Sequence, residues 1–77
     1  MNPEEKIKLF LEAETQSAIV DLNSDLIKQG LLDSFLMIKL ISFIEKELGV
    51  VLDMEILSPR NFSSINNISN MVKENIK

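Results

Sequence analysis

From Ser34 to Leu48 the apolar residues fall at a spacing that only a helix satisfies. Met37, Leu40, Ile41, Ile44 and Leu48 stand at i, i+3, i+4, i+7 and i+11. That spacing gathers them on one stripe of a helix. Gly49 follows, the residue type that ends helices by taking a left-handed backbone. The run begins at Asp33-Ser34, two residue types whose side-chain oxygens accept from the free N–H groups of a first helical turn. A helix with one apolar stripe must bury it against other elements, so the rest of the chain has to supply them. Phe35, Ile38, Lys39, Ser42, Glu45 and Lys46 fall largely on the other side. Phe35 and Ile38 are apolar where water is expected. Either a neighbouring loop covers them or they form a small docking patch.

Two further helices are legible. Asn2-Pro3-Glu4-Glu5 has a capping residue, a proline suited to the first helical position, and acids that complement the positive end of the helix dipole. Ile7, Phe10 and Leu11, with Glu14 or Ala18, continue at helical spacing, which predicts a helix ending between Thr15 and Ala18. Near the other end, Ser63 or Ser64 is placed to cap a helix. Its stripe is Ile65, Ile68, Val72 and Ile76, with Met71 beside it, while Asn66, Asn67, Asn70, Lys73, Glu74 and Lys77 face water. Residues 19–33 read as a long connection. Asp21, Asn23, Ser24, Asp25 and Gly30 break periodicity, yet Ile19, Val20, Leu22, Leu26, Ile27, Leu31 and Leu32 are too apolar for disorder. The expectation is a loop that lies across the helices and pins its leucines into the core. Val50-Val51-Leu52 has no partner strand and reads as an extended connector. Ser58-Pro59-Arg60-Asn61-Phe62 reads as one short turn of helix, with Ser58 capping and Pro59 first. The expected fold is therefore all-α, three main helices plus one short helix with a long loop between helices 1 and 2, as a single domain over residues 1–77.

Composition narrows the function. Histidine, cysteine, tryptophan and tyrosine are all absent. That removes the commonest general base, the commonest metal ligands and most catalytic triads. The expectation is no catalytic residue, no metal site, and no disulfide to help a chain of 77 residues fold. Twelve acids against eight bases give a net charge of −4, so the counterion-displacing basic stripe of a nucleic-acid binder is missing. The acidity is confined to residues 1–33, which hold seven acids and three bases; residues 34–77 hold five of each. The start of the chain is acidic where a secretory leader is basic, and Lys39 and Ser42 interrupt the longest apolar stretch well short of the roughly 20 residues that span a bilayer. A cytoplasmic protein without membrane insertion, monomeric by default, is expected.

Asp25-Leu26, then Gly30-Leu31-Leu32-Asp33-Ser34-Phe35, then an apolar helix ending Glu45-Lys46-Glu47-Leu48-Gly49-Val50, resembles the acyl carrier and peptidyl carrier proteins. The Gly-Leu-Leu-Asp-Ser-Phe segment looks most like D-alanyl carrier protein and related stand-alone aminoacyl carriers. Leu57-Ser58-Pro59-Arg60-Asn61-Phe62-Ser63-Ser64-Ile65 looks like the third-helix segment of such carriers. The resemblance covers roughly residues 5–76 and implies a four-helix bundle. It implies that Ser34 takes 4′-phosphopantetheine from coenzyme A through a phosphopantetheinyl transferase. The terminal thiol of that arm would then hold an acyl or aminoacyl group as a thioester. Asp33 is the acidic residue before the serine, either assisting the transferase or its metal or serving as the helix cap. A phosphodiester at Ser34 would suit a helix N-terminus, which tolerates an anion. The borrowed thiol would explain why the chain needs no histidine or cysteine of its own.

The second helix departs from the fatty-acid type of carrier, whose acidic face meets basic enzymes. Here Lys39 and Lys46 balance Glu45 and Glu47. Docking would then fall to Phe35 and Ile38, with Lys39 and Ser42 beside them, although exposed lysines on a helix commonly do no more than keep it soluble. The partners implied are the transferase, an adenylating acyl or aminoacyl ligase, and a downstream acyltransferase or synthase. The pathway would be cell-wall D-alanylation or secondary metabolism. The alternative is an unmodified helical interaction module that docks through Phe35 and Ile38.

Overall fold

A computed structural model describes residues 2–53 and 57–75. These residues form three helices and no strand: α1 (Pro3–Thr15), α2 (Ser34–Glu47) and α3 (Ile65–Asn75). α1 starts where its sequence says it should. The Asn2 side chain accepts from the Glu5 N–H at 2.9 Å, and Pro3 holds the first position. The helix ends at Thr15 because Gln16 turns left-handed at φ 54°. Ala18 consequently lies outside the helix and is exposed, so it does not extend the stripe. Ile7 and Leu11 are the buried positions of α1. Phe10 packs half-buried against Phe43 of α2, their rings stacked 4.4 Å apart.

Residues 16–33 join α1 to α2 without an intervening helix, and they are fastened at several points. The Glu12 carboxylate accepts from the Ile19 N–H at 2.7 Å, which turns the chain back over α1 and buries Ile19. Leu26 donates its N–H to the Ser63 carbonyl at 2.7 Å, and Leu22 accepts from the Asn66 N–H at 3.0 Å, tying the segment to the start of α3. The Asp25 side chain accepts from the N–H groups of Ile27 and Lys28. Gly30, at φ 75°, then closes the turn: its N–H bonds the Ile27 carbonyl and the Leu31 N–H bonds the Leu26 carbonyl. This is the Schellman pairing that ends helices, and its left-handed residue favours glycine. Ile19, Leu26 and Leu32 are buried, with Leu22, Ile27 and Leu31 packed against them.

In α2 the buried line is Leu36, Leu40 and Ile44, at i, i+4 and i+8. It is rotated to one side of the stripe that periodicity predicts: Met37, Ile41 and Leu48 flank the core half-buried, and Leu36 lies in it. The loop leucines 26 and 32 are buried in the same cluster as Leu36, which periodicity alone does not reveal. Gly49 stops α2 at φ 67°, and Val50 re-enters the core. Residues 58–62 form a turn rather than the expected short helix. The N–H groups of Asn61 and Phe62 both reach the Ser58 carbonyl, at 3.1 and 3.3 Å, and the ladder goes no further. A single turn returns too few hydrogen bonds for the backbone it fixes, and what holds this one is the complete burial of Phe62. Ser64 caps α3, accepting from the Asn67 N–H at 3.1 Å. Ile65, Ile68, Met71 and Val72 are buried as expected, joined by Ser69; Ile76 and Lys77 lie outside the described residues. Asn66 is half-buried rather than fully solvated, because its side chain donates to Asn23. Lys73 of α3 pairs with Glu4 of α1. Its hydrogen bond, followed by one from the Glu4 backbone, holds the Glu4 carboxyl below the usual range. Among the described residues no helix is long and apolar enough to cross a membrane.

Candidate functional site

The head of α2 is built so that one residue does the capping and the next is left free. Asp33 has extended backbone (φ −108°, ψ −178°), and its Oδ1 accepts from the Leu36 N–H at 2.8 Å. Its carbonyl accepts from the Met37 N–H at 2.9 Å. Asp33 is thus the cap, and Ser34 is the first residue inside the helix. The Ser34 side chain is exposed, and no hydrogen bond among the described residues engages its hydroxyl. The N–H groups of Ser34 and Phe35 are likewise untaken, as the first amides of a helix are unless something outside the helix accepts from them. A free hydroxyl, two free N–H donors and the positive end of α2 fit a phosphodiester carried on that oxygen.

Around this point the other predicted residues fall into place unequally. Phe35 and Ile38 are 69% and 66% exposed, so they are not roofed by the loop. Leu36, between them in sequence, points into the core instead. Lys39 is more than a solvated charge. Its ammonium lies 3.3 Å from the Glu14 carboxylate of α1 and 5.0 Å from the centre of the Phe35 ring. A cation over an aromatic face at this distance is attractive, and at an exposed site contributes about 0.5–1 kcal/mol. Ser42 is exposed one turn further along.

Two open grooves run along the α1–α2 seam and meet at Glu14 and Lys39. The first, about 340 Å³, includes Asp33, Phe35 and Leu31; the second, about 360 Å³, includes Ile38, Ser42, Phe10 and Phe43. Asp33, Phe35, Ile38, Lys39 and Ser42 therefore share one continuous surface. The role of Glu14 is hidden in the sequence: its spacing suggests only a member of the α1 stripe, and its partner lies 25 residues away.

Among curated proteins none matches the chain. Among solved structures it is similar to a chain described as "Crystal structure of FAD-dependent dehydrogenase", at 22% identity and a TM-score of 0.75, covering 86% of this chain and 97% of that one. At that identity the likeness is one of fold. The family model for the phosphopantetheine attachment site matches residues 5–73. That span takes in the three helices, the capped head of α2 and the loop that leads to it. The chain belongs to the phosphopantetheine attachment site family of acyl and peptidyl carrier proteins, whose domain attaches a 4′-phosphopantetheine prosthetic group.

Proposed function

We propose that Ser34 bears the arm and that the chain is a stand-alone carrier of an aminoacyl or acyl group, serving cell-wall D-alanylation or secondary metabolism. The observation that carries this is the division of labour at the head of α2: Asp33 caps, and the Ser34 hydroxyl is exposed and unengaged. In the loading step the Ser34 oxygen forms a new bond to the phosphorus next to the pantetheine of coenzyme A. The pyrophosphate P–O bond breaks, adenosine 3′,5′-bisphosphate leaves, and the hydroxyl proton passes to a base on the transferase. The untaken N–H groups of Ser34 and Phe35 would serve as donors to the phosphodiester. Asp33 keeps the helix start in register and offers a carboxylate to the transferase or its metal. When bound, the arm supplies a terminal thiol that holds the cargo as a thioester.

The partners of this reading are the phosphopantetheinyl transferase, an adenylating ligase and a downstream acyltransferase or synthase. They would dock on Phe35, Ile38, Lys39 and Ser42. Large exposed apolar side chains beside a reactive point are the kind of centre on which binding energy concentrates. The balanced charges of α2 favour an apolar contact over the acidic docking of fatty-acid carriers.

Incubation with coenzyme A, Mg²⁺ and a promiscuous transferase should raise the intact mass by one phosphopantetheinyl unit in the wild type and not in Ser34→Ala. No gain under conditions that load a control carrier would instead support an unmodified interaction module using Phe35 and Ile38. With the loaded chain in hand, Ile38→Asp should slow acylation by the ligase. It should leave stability within about 0.5 kcal/mol, as for a surface change away from the core.

A further inference from the structure

We propose that the seam between α1 and α2 pairs with a second copy of this chain, independently of what Ser34 carries. The two helices run antiparallel there, because Phe10 meets Phe43 while Glu14 meets Lys39. The two phenylalanine rings, 4.4 Å apart, mark the middle. Leu9 and Ile38, 50% and 66% exposed, flank them. Two open grooves share the phenylalanines, so the apolar surface is continuous from Leu9 to Ile38. Its two ends carry opposite charges on opposite helices. At one end Glu14 of α1 lies 3.3 Å from Lys39 of α2. At the other, Lys6 of α1 and Glu47 of α2 line the groove, and neither has an ion-pair partner among the described residues.

This charge pattern selects the occupant. A closed pair needs a face that complements itself. A two-fold axis along the seam lays α2 of the second copy on α1 of the first. Lys6 then meets the partner's Glu47, and Glu47 meets the partner's Lys6. Glu14 meets the partner's Lys39, and the aromatic centres meet each other. The acids behind the net charge of −4 lie mostly elsewhere, since the two grooves hold Lys6, Lys39 and Lys46 against Glu14 and Glu47. A standard interface buries roughly 800 Å² per partner, about a sixth of the 4962 Å² of this chain. One helix seam covers less, so the pairing should be weak, with a Kd of about 10 µM or above. The dilute chain is then the monomer expected by default. Ile38 and Ser42 line the paired face, so pairing and the docking of a ligase would exclude each other.

Sedimentation velocity on the unloaded chain, from about 10 µM to about 1 mM, tests this. A monomer–dimer equilibrium is expected across that range. Leu9→Asp and Lys6→Glu should each weaken it about tenfold or more, with helix content unchanged by circular dichroism. Lys6→Glu combined with Glu47→Lys should restore it, because the reversed charges again meet opposite ones. Val51→Asp, at an exposed apolar position outside both grooves, should leave it unchanged. A chain still monomeric at about 1 mM would overturn the pairing. So would a dimer that is insensitive to Leu9→Asp, or one that the double reversal does not restore. None of these results touches the mass test for Ser34.

Discussion

Two helices of this molecule begin at a serine-bearing turn, and they use the serine in opposite ways. At the head of α3, Ser64 is buried and its hydroxyl accepts from the Asn67 N–H. Beside it, the Ser63 hydroxyl donates to the Arg60 carbonyl and accepts from the Asn67 side-chain amide at 2.8 Å. Both oxygens are consumed by the fold. At the head of α2 the carboxylate of Asp33 takes the capping bond, and the Ser34 hydroxyl is left in water. The residue type is the same, and both serines stand at a helix start. What differs is which neighbour satisfies the free N–H groups, and that decides whether an oxygen is structure or chemistry.

The two serines should differ most in what their removal costs in stability. Ser64→Ala removes a buried cap and should lower unfolding free energy by about 1–2 kcal/mol. Ser34→Ala should stay within about 0.5 kcal/mol. In urea titrations the first midpoint falls and the second does not; equal losses would mean that Ser34 is also part of the capping. Asp33→Ala should cost about 1 kcal/mol, seen as a melting temperature roughly 4–8 °C lower. Asp33→Asn keeps a capping oxygen and should restore most of that loss. If the Asp33→Asn variant then still loads slowly, the charge of Asp33 serves the transferase.

A third serine sharpens the contrast from the other side. Ser69 is fully buried in α3, and its hydroxyl has no hydrogen-bond partner among the described residues. An unpaired buried polar group is a net loss, so Ser69→Ala should raise stability by about 1 kcal/mol, read from the same titrations. The smallest effect belongs to the Glu4–Lys73 pair that ties α1 to α3. Because the folded carboxyl is held below its ordinary value, its contribution is present above the unfolded pKa and is lost as pH falls through the folded one. Glu4→Gln should therefore lower stability slightly at neutral pH and leave it unchanged in strong acid, where the carboxyl is already protonated. Thermal melts across that pH range would show the two curves converging on the acid side.

Much of this was legible in the sequence, for reasons that can be named. Asn2-Pro3, Gly49 and the isoleucines of α3 act locally, and each did what its type dictates. The resemblance to carrier proteins pointed to the Ser34 hydroxyl, whereas the residues themselves left both Asp33 and Ser34 as candidate caps. What periodicity missed is tertiary. Leu36 is buried in one cluster with Leu26 and Leu32 of the loop, so the α2 stripe includes a residue that helical spacing leaves out. Residues 58–62 stop at a turn because the burial of Phe62, not propensity, holds them. Lys39 meets Glu14 only once α1 and α2 are packed. Ser69 lies on the inner face of α3 among isoleucines, where no pattern rule expects a hydroxyl.

The most direct test is to locate the added group. After treatment with coenzyme A and a transferase, the chain is cleaved and each serine-bearing peptide is fragmented. The expected result is 4′-phosphopantetheine on Ser34 and on no other serine. The same mass found on Ser63 or Ser64, or no adduct while a control carrier is loaded, would contradict it.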